Sequence, residues 1–144
     1  MPLHLQIVTA QRMVYEDDVD MVIAPAWDGA VGILPHHAPL LTTLQIGELL
    51  VRKGGVEQAL VIAGGFLEVN QGIVTVLADF AEHAEEVDVQ QAEEARRRAQ
   101  ESLAGRATME SEDAARAELR RAVLQLRVAG SRRRRSNQPP QTGA

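Results

Sequence analysis

At 144 residues and 15.7 kDa the chain has room for one ordinary domain, or for a small one with an appendage. A hydrophobic fraction of 45% with 24% charged residues excludes wholesale disorder, and the absence of Cys excludes disulfide frameworks, thiolate metal sites and cysteine nucleophiles. The net charge of -5 hides two unlike halves: residues 1–86 carry 3 basic against 12 acidic groups, and residues 87–144 carry 12 basic groups, all Arg, against 8 acidic.

From the N-terminus the apolar pattern has period two, or falls into short runs bounded by turn residues. Leu3, Leu5 and Ile7 alternate with His4 and Gln6, and Val19, Met21 and Ile23 alternate with Asp20 and Val22. Asp28-Gly29 marks a turn before the apolar stretch Val31 to Leu34. Leu49-Leu50-Val51 and Leu60-Val61-Ile62 flank a turn at Gly54-Gly55, and Phe66 to Val69 and Ile73 to Leu77 flank Asn70-Gln71-Gly72. Successive hairpins predict an antiparallel sheet of some eight to ten short strands, closed as a small sandwich or flattened barrel. With only Tyr15, Trp27, Phe66 and Phe80 as aromatics, its core is aliphatic.

After residue 86 the strand signals stop. Asp88 with Gln91 has capping-box spacing, and a helix over 88–104 follows with Val89, Ala92, Ala95, Ala99 and Leu103 on one face. Gly105 is its stop. Thr108 or Ser111 then caps a second helix to about residue 128, with Ala115, Leu119, Ala122 and Leu126 as its stripe. The short connection predicts an antiparallel hairpin, held by a seam of mostly Ala whose methyls each contribute only about 0.8 kcal/mol on burial. The tail SRRRRSNQPPQTGA from Ser131 has no apolar residue before its final Ala144 and predicts disorder over 131–144. Arg132 to Arg135 in it is read as a solvated charge run.

Chemistry is sparse. No glycine-rich phosphate loop is present, and His4, His36, His37 and His83 are not spaced as zinc ligands. Glu16-Asp17-Asp18-x-Asp20 lacks the glycine and distal glutamate of a calcium loop, so it reads as a solvated edge. No catalytic residue, metal or cofactor is therefore expected. No apolar run approaches the roughly 20 residues that span a bilayer, and Met1-Pro2-Leu3-His4 lacks a signal peptide's basic and apolar segments, so an aqueous, reducing compartment is expected. On the second helix Arg116, Arg120 and Arg127 project within roughly 40° of one another, a basic stripe beside the apolar seam that suits an acidic partner. Glu112 stands four residues before Arg116 as a competing local partner. Two other readings are open from the residues alone: a free-standing binding module with the helices as a dimerisation arm, and a small enzyme using His37 with a carboxylate.

Several segments in one order resemble a known family. Gly32-Ile33-Leu34-Pro35-His36-His37-Ala38-Pro39-Leu40-Leu41-Thr42, then Gly64-Gly65-Phe66-Leu67-Glu68-Val69, then Val74 to Asp79, and in the helices Glu93 to Ala99 and Leu119-Arg120-Arg121-Ala122, are similar to the epsilon subunit of bacterial and chloroplast F-type ATP synthases. The resemblance runs over about residues 3 to 130. It implies an all-β sandwich of about ten strands (1–86) followed by an antiparallel α-helical hairpin (87–130). It also implies a non-catalytic place in the central rotor stalk, bound to the gamma subunit and the c-subunit ring, with no nucleic-acid partner and no membrane insertion of its own. On that pattern the ring contact falls at Asp28, Gly29, Ala30 and Val31, with Ala30 where relatives often carry an acid. The gamma contact falls at His37, Ala38, Pro39, Leu40 and Leu41. The hairpin is expected to inhibit ATP hydrolysis by meeting an acidic segment of the alpha/beta catalytic head through Arg116, Arg120 and Arg127. An ATP site known in some relatives would survive only as Asp88, Ala92 and Arg121, because Gln91 and Gln125 replace two arginines, and weak or absent binding is expected. The expected location is the cytoplasmic face of a bacterial plasma membrane, or the stromal face of a thylakoid.

Overall fold

The computed structural model describes residues 2–105 and 109–136, with side chains omitted at 109–110 and 131–136. The chain divides into two compact units, Met1–His83 and Ala84–Ala144.

The first unit contains seven strands: β1 (Leu3–Val8), β2 (Met13–Val19), β3 (Met21–Ala26), β4 (Gly29–Ile33), β5 (Leu40–Lys53), β6 (Val56–Asn70) and β7 (Ile73–His83). They form one sheet in the order β2-β1-β7-β6-β5-β3-β4. The strand count is seven where about ten were expected, because neighbouring apolar runs are halves of one long strand. Leu60-Val61-Ile62 and Phe66 to Val69 both lie in β6, which spans 15 residues. The sheet is also not wholly antiparallel: β1 pairs in parallel with β7, from His4↔Ile73 to Val8↔Leu77. Alternation within a strand does not reveal its partner, so the sequence carried no sign of that pairing.

The long strands bend at one level, and the bend closes the sandwich. Inward residues are even-numbered along β5 up to Leu44 and odd from Leu49, even along β6 up to Ile62 and odd from Leu67, and even along β7 up to Ala78 and odd at Ala81. The parity changes across the row Gln45, Gly64, Asp79, which the ladders skip: Leu44↔Gly65 is followed by Ile46↔Ala63, and Ala63↔Phe80 by Gly65↔Ala78. Gly64 and Gly65 hold φ of 77° and 117°, open to glycine and strained for any side chain. Strands that change layer through such corners let one sheet cover both sides of a core. The core is accordingly a single aliphatic cluster with Leu3, Leu5, Ile7, Leu49, Leu60, Ile62, Leu67 and Val76 fully buried.

The two predicted glycine turns join β5 to β6 and β6 to β7. Their central residues, Gly54-Gly55 and Gln71-Gly72, all have positive φ, as the twist of tight hairpins requires. Far along the chain, His83 Nε2 donates to the Val14 carbonyl at 2.9 Å and stacks obliquely on Tyr15, tying the end of β7 to β2.

The second unit opens with a 3-10 turn at Ala84–Glu86, followed by α1 (Val89–Ala104) and α2 (Met109–Ser136), which pack as a hairpin. Asp88 is the N-cap of α1, its carboxylate accepting the Gln91 backbone N–H at 3.1 Å. The seam is as alanine-rich as its pattern predicts: Ala92 and Ala99 are buried on α1, and Ala115, Ala122, Leu124, Val128 and Ala129 on α2, with Leu119 and Leu126 half-buried. Two expectations need correction. Ser111 lies inside α2 and does not cap it, while Thr108 lies outside the described residues. The backbone of 131–136 is helical where disorder was expected, since Arg is a good helix former and cations are favoured near a helix C-terminus. The remainder of the tail lies outside the described residues.

Candidate partner interface

The acidic run of the first unit is engaged within the fold. Glu16, Asp17 and Asp18 lie in edge strand β2, where Asp18 Oδ1 meets His4 Nδ1 at 2.8 Å and Asp17 Oδ2 meets Lys53 Nζ at 2.6 Å. Asp20 Oδ2 accepts the Gly54 backbone N–H at 2.8 Å. Among the described residues no group of three His, Asp or Glu side chains is placed to hold a metal ion. Charges along β2 also keep this open edge from pairing with another chain.

The Asp28–Val31 segment forms the β3–β4 hairpin. Ala26↔Gly29 closes a two-residue turn of Trp27 and Asp28, and Asp28, Gly29 and Ala30 are exposed with Val31 half-buried. The turn is fixed to β5 from both sides: the Trp27 N–H donates to the Thr43 carbonyl at 3.1 Å, and the Gln45 side-chain amide donates to the Trp27 carbonyl. The His37–Leu41 segment follows a reversal in which the His37 N–H donates to the Leu34 carbonyl at 3.1 Å and His36 takes a left-handed φ of 69°. Leu40 packs on the core, whereas Ala38, Pro39 and Leu41 are exposed.

Register then brings together residues from segments far apart in the sequence. Trp27 lies opposite Thr43, beyond the pair Ala26↔Leu44. Thr43 pairs with Phe66, Phe66 with Leu77, Leu77 with Val8, and Val8 with Met13. All six point away from the core, since each sits next to an inward residue: Ala26, Leu44, Leu67, Val76, Ile7 and Val14. Trp27 is 64% exposed, Phe66 53%, Leu77 55% and Met13 48%. The result is a row of apolar side chains, interrupted by Thr43, across five strands and the β3–β4 turn, about 24 Å long at the usual strand spacing. Leu41 lies on the same face, two residues along β5 from Thr43, and is 69% exposed. Scattered exposed apolar residues are ordinary, but a group of them aligned on one face is a candidate contact surface. The signal was present in the sequence as apolar residues at the outward parity of the strands; without the register they could not be placed side by side.

On the second unit Arg116, Arg120 and Arg127 are all exposed on α2. Val123, 48% exposed, falls among them at helical spacing. Asp113, Arg116, Leu119 and Arg120 line a depression of about 430 Å³. Of the residual nucleotide residues, Asp88 is occupied as a helix cap and Ala92 is buried in the seam. Arg121, half-buried, already has a polar or electrostatic partner.

Comparison with known proteins agrees with this architecture. Residues 2–84 match the family model described as ATP synthase, Delta/Epsilon chain, beta-sandwich domain, and residues 85–130 match that of the long alpha-helix domain. The ATP synthase epsilon chain of Herpetosiphon aurantiacus is 53% identical over 137 residues, covering 94% of this chain and 99% of the relative. That of Dehalococcoides mccartyi is 50% identical over 137 residues, covering 92% and 95%. Among solved structures, a chain of the Euglena gracilis mitochondrial ATP synthase (OSCP/F1/c-ring) superposes with a TM-score of 0.72 at 23% identity, over 83% of this chain and 76% of its own. With two family models meeting at the boundary between sandwich and helices and relatives at half identity along nearly the whole length, the chain belongs to the ATP synthase delta/epsilon chain family.

Proposed function

We propose that this chain is a non-catalytic rotor subunit of an F-type ATP synthase. Seated between the gamma subunit and the c ring, it transmits rotation to the alpha/beta catalytic head, and its hairpin restrains ATP hydrolysis. The observation that best supports the stalk role is the apolar row from Trp27 to Met13. It is continuous with Leu41 of the His37–Leu41 segment and ends at the Asp28–Val31 hairpin, so both proposed contacts belong to one rigid body. A torque-bearing part needs that rigidity, and a close-packed aliphatic core supplies it. No helix among the described residues is long and apolar enough to cross a membrane. The assembly is therefore proposed to hold the chain peripherally, at the cytoplasmic face of a bacterial plasma membrane.

The regulatory half of the proposal is supported by α2. Three exposed arginines around an exposed Val123 fit an acidic helix that carries an apolar residue of its own. In a pull-down with the gamma-containing catalytic head, the full chain and residues 1–86 are both retained, and only the full chain lowers hydrolysis. The Arg120→Ala, Arg127→Ala double variant stays bound and loses the inhibition. Failure of the full chain to be retained overturns the stalk role; unchanged inhibition by the double variant overturns the role of the stripe. Calorimetry of the isolated chain with ATP gives weak or no binding, because Asp88 and Ala92 are committed to helix capping and packing.

A further inference from the structure

Trp27 is the largest side chain of the row and its most exposed apolar member. It is also the first of the two residues of the β3–β4 turn, so it belongs at once to the row and to the segment proposed to face the ring. Its backbone is held on both sides by β5, through Thr43 and Gln45. A large amphipathic ring presented from a fixed backbone loses little entropy on docking, which is the character of an interface hot spot.

The surroundings define what docks there. Asp28 adjoins Trp27, Glu68 lies in the neighbouring outward row Leu41, Glu68, Thr75, Gln6, Glu16, whose far member Glu16 stands 3.7 Å from His4, and Asp79 lies on the opposite flank; Asp28, Glu68 and Asp79 are exposed. An apolar strip about 24 Å long with acidic borders is complementary to an apolar ridge bordered by Lys or Arg.

We propose that Trp27 is the principal anchor of the gamma contact, buried against a basic-rimmed apolar ridge of that subunit. Because Trp27 and Asp28 form one two-residue turn, its burial fixes the ring-facing hairpin before the ring is engaged. The inference rests on the stalk role proposed above.

The chain contains a single tryptophan, so its fluorescence reports on this residue alone. The test adds gamma-containing catalytic head, without ring, to the full-length chain and follows emission wavelength and iodide quenching. The expected result is a blue shift and loss of quenching that saturate with binding. In a pull-down titration against the same head, which needs no tryptophan signal, Trp27→Ala weakens binding by about 30-fold, as truncating a hot spot does, and Trp27→Phe weakens it less. Retention of the chain by the head with Trp27 still solvated overturns this inference and leaves the stalk role standing. No retention at all overturns the stalk role, and the inference with it. A blue shift that grows with the concentration of the chain alone assigns the row to a second copy and likewise overturns the gamma assignment.

Discussion

Gly65 shows how much a single position can carry. Its φ is 117°, and a Cβ placed there would lie 2.1 Å from the Leu77 backbone oxygen, which cannot move aside without breaking the β6–β7 ladder at the corner. Gly65→Ala is expected to destabilise the sandwich by more than about 2 kcal/mol, combining strain and overlap, as read by denaturant midpoint at unchanged slope. Charge acts more gently. Asp17 is held below its ordinary value by the hydrogen bond from Lys53 and then by the Asp18 N–H, and Lys53 is raised by the same bond. The carboxylate's contribution is present above its unfolded value and lost as pH falls through the folded one. That of the ammonium is present below the ordinary lysine range and lost as pH rises past it. Lys53→Met should flatten the acid limb of a plot of melting temperature against pH. Tyr15, the only tyrosine, is raised first by burial and then by the Asp17 charge. Its absorbance titration should fall above the normal phenol range, with the associated stability lost as pH climbs through that folded value.

At the scale of elements, the helices were the more readable half. Asp88, the alanine steps and Gly105 fix α1 within a residue of its observed ends, because capping and 3.6-residue periodicity are local properties. The far end of α2 departs from its expected course for the opposite reason. Composition around Arg132 to Arg135 speaks for disorder, while propensity and the helix dipole favour continuation, and the backbone of the described part follows the latter. Among the strands, turns and the inside of β1 were readable but pairing was not. The alternation of Val19, Met21 and Ile23 does not mark the inward face of β3, whose buried residues are Val22, Ala24 and Ala26, and the parallel β1–β7 ladder and the merging of short runs into β5 and β6 depend on contacts far apart in sequence. The seam of Ala92, Ala99, Ala115 and Ala122 buries little area per contact, so the hairpin should open below the global unfolding free energy. Hydrogen exchange is expected to find α1 amides less protected than those of β6. Asp88→Ala should widen that difference by about 1 kcal/mol, the usual worth of a cap.

The chain divides into an acidic unit, Met1–His83, and a basic one, Ala84–Ala144, and the charge of the sequence changes character three residues beyond that division, at residue 86. The candidate contacts were only partly readable. The His37–Leu41 and Asp28–Val31 segments came from resemblance, while Trp27, Phe66, Leu77 and Met13 became a surface only when register aligned them. One consequence concerns the order in which the chain is made. Strand β1 leaves the ribosome before the other six strands, yet one of its two edges is completed by Ile73 to Leu77, some seventy residues later. Bringing such distant segments together carries an entropic penalty that no earlier contact offsets. A nascent chain ending at residue 70 should therefore remain protease-sensitive with β1 half-partnered. Release of residues through 83 should permit protection to appear in one cooperative step, so that synthesis itself times the moment at which a docking-competent body first exists.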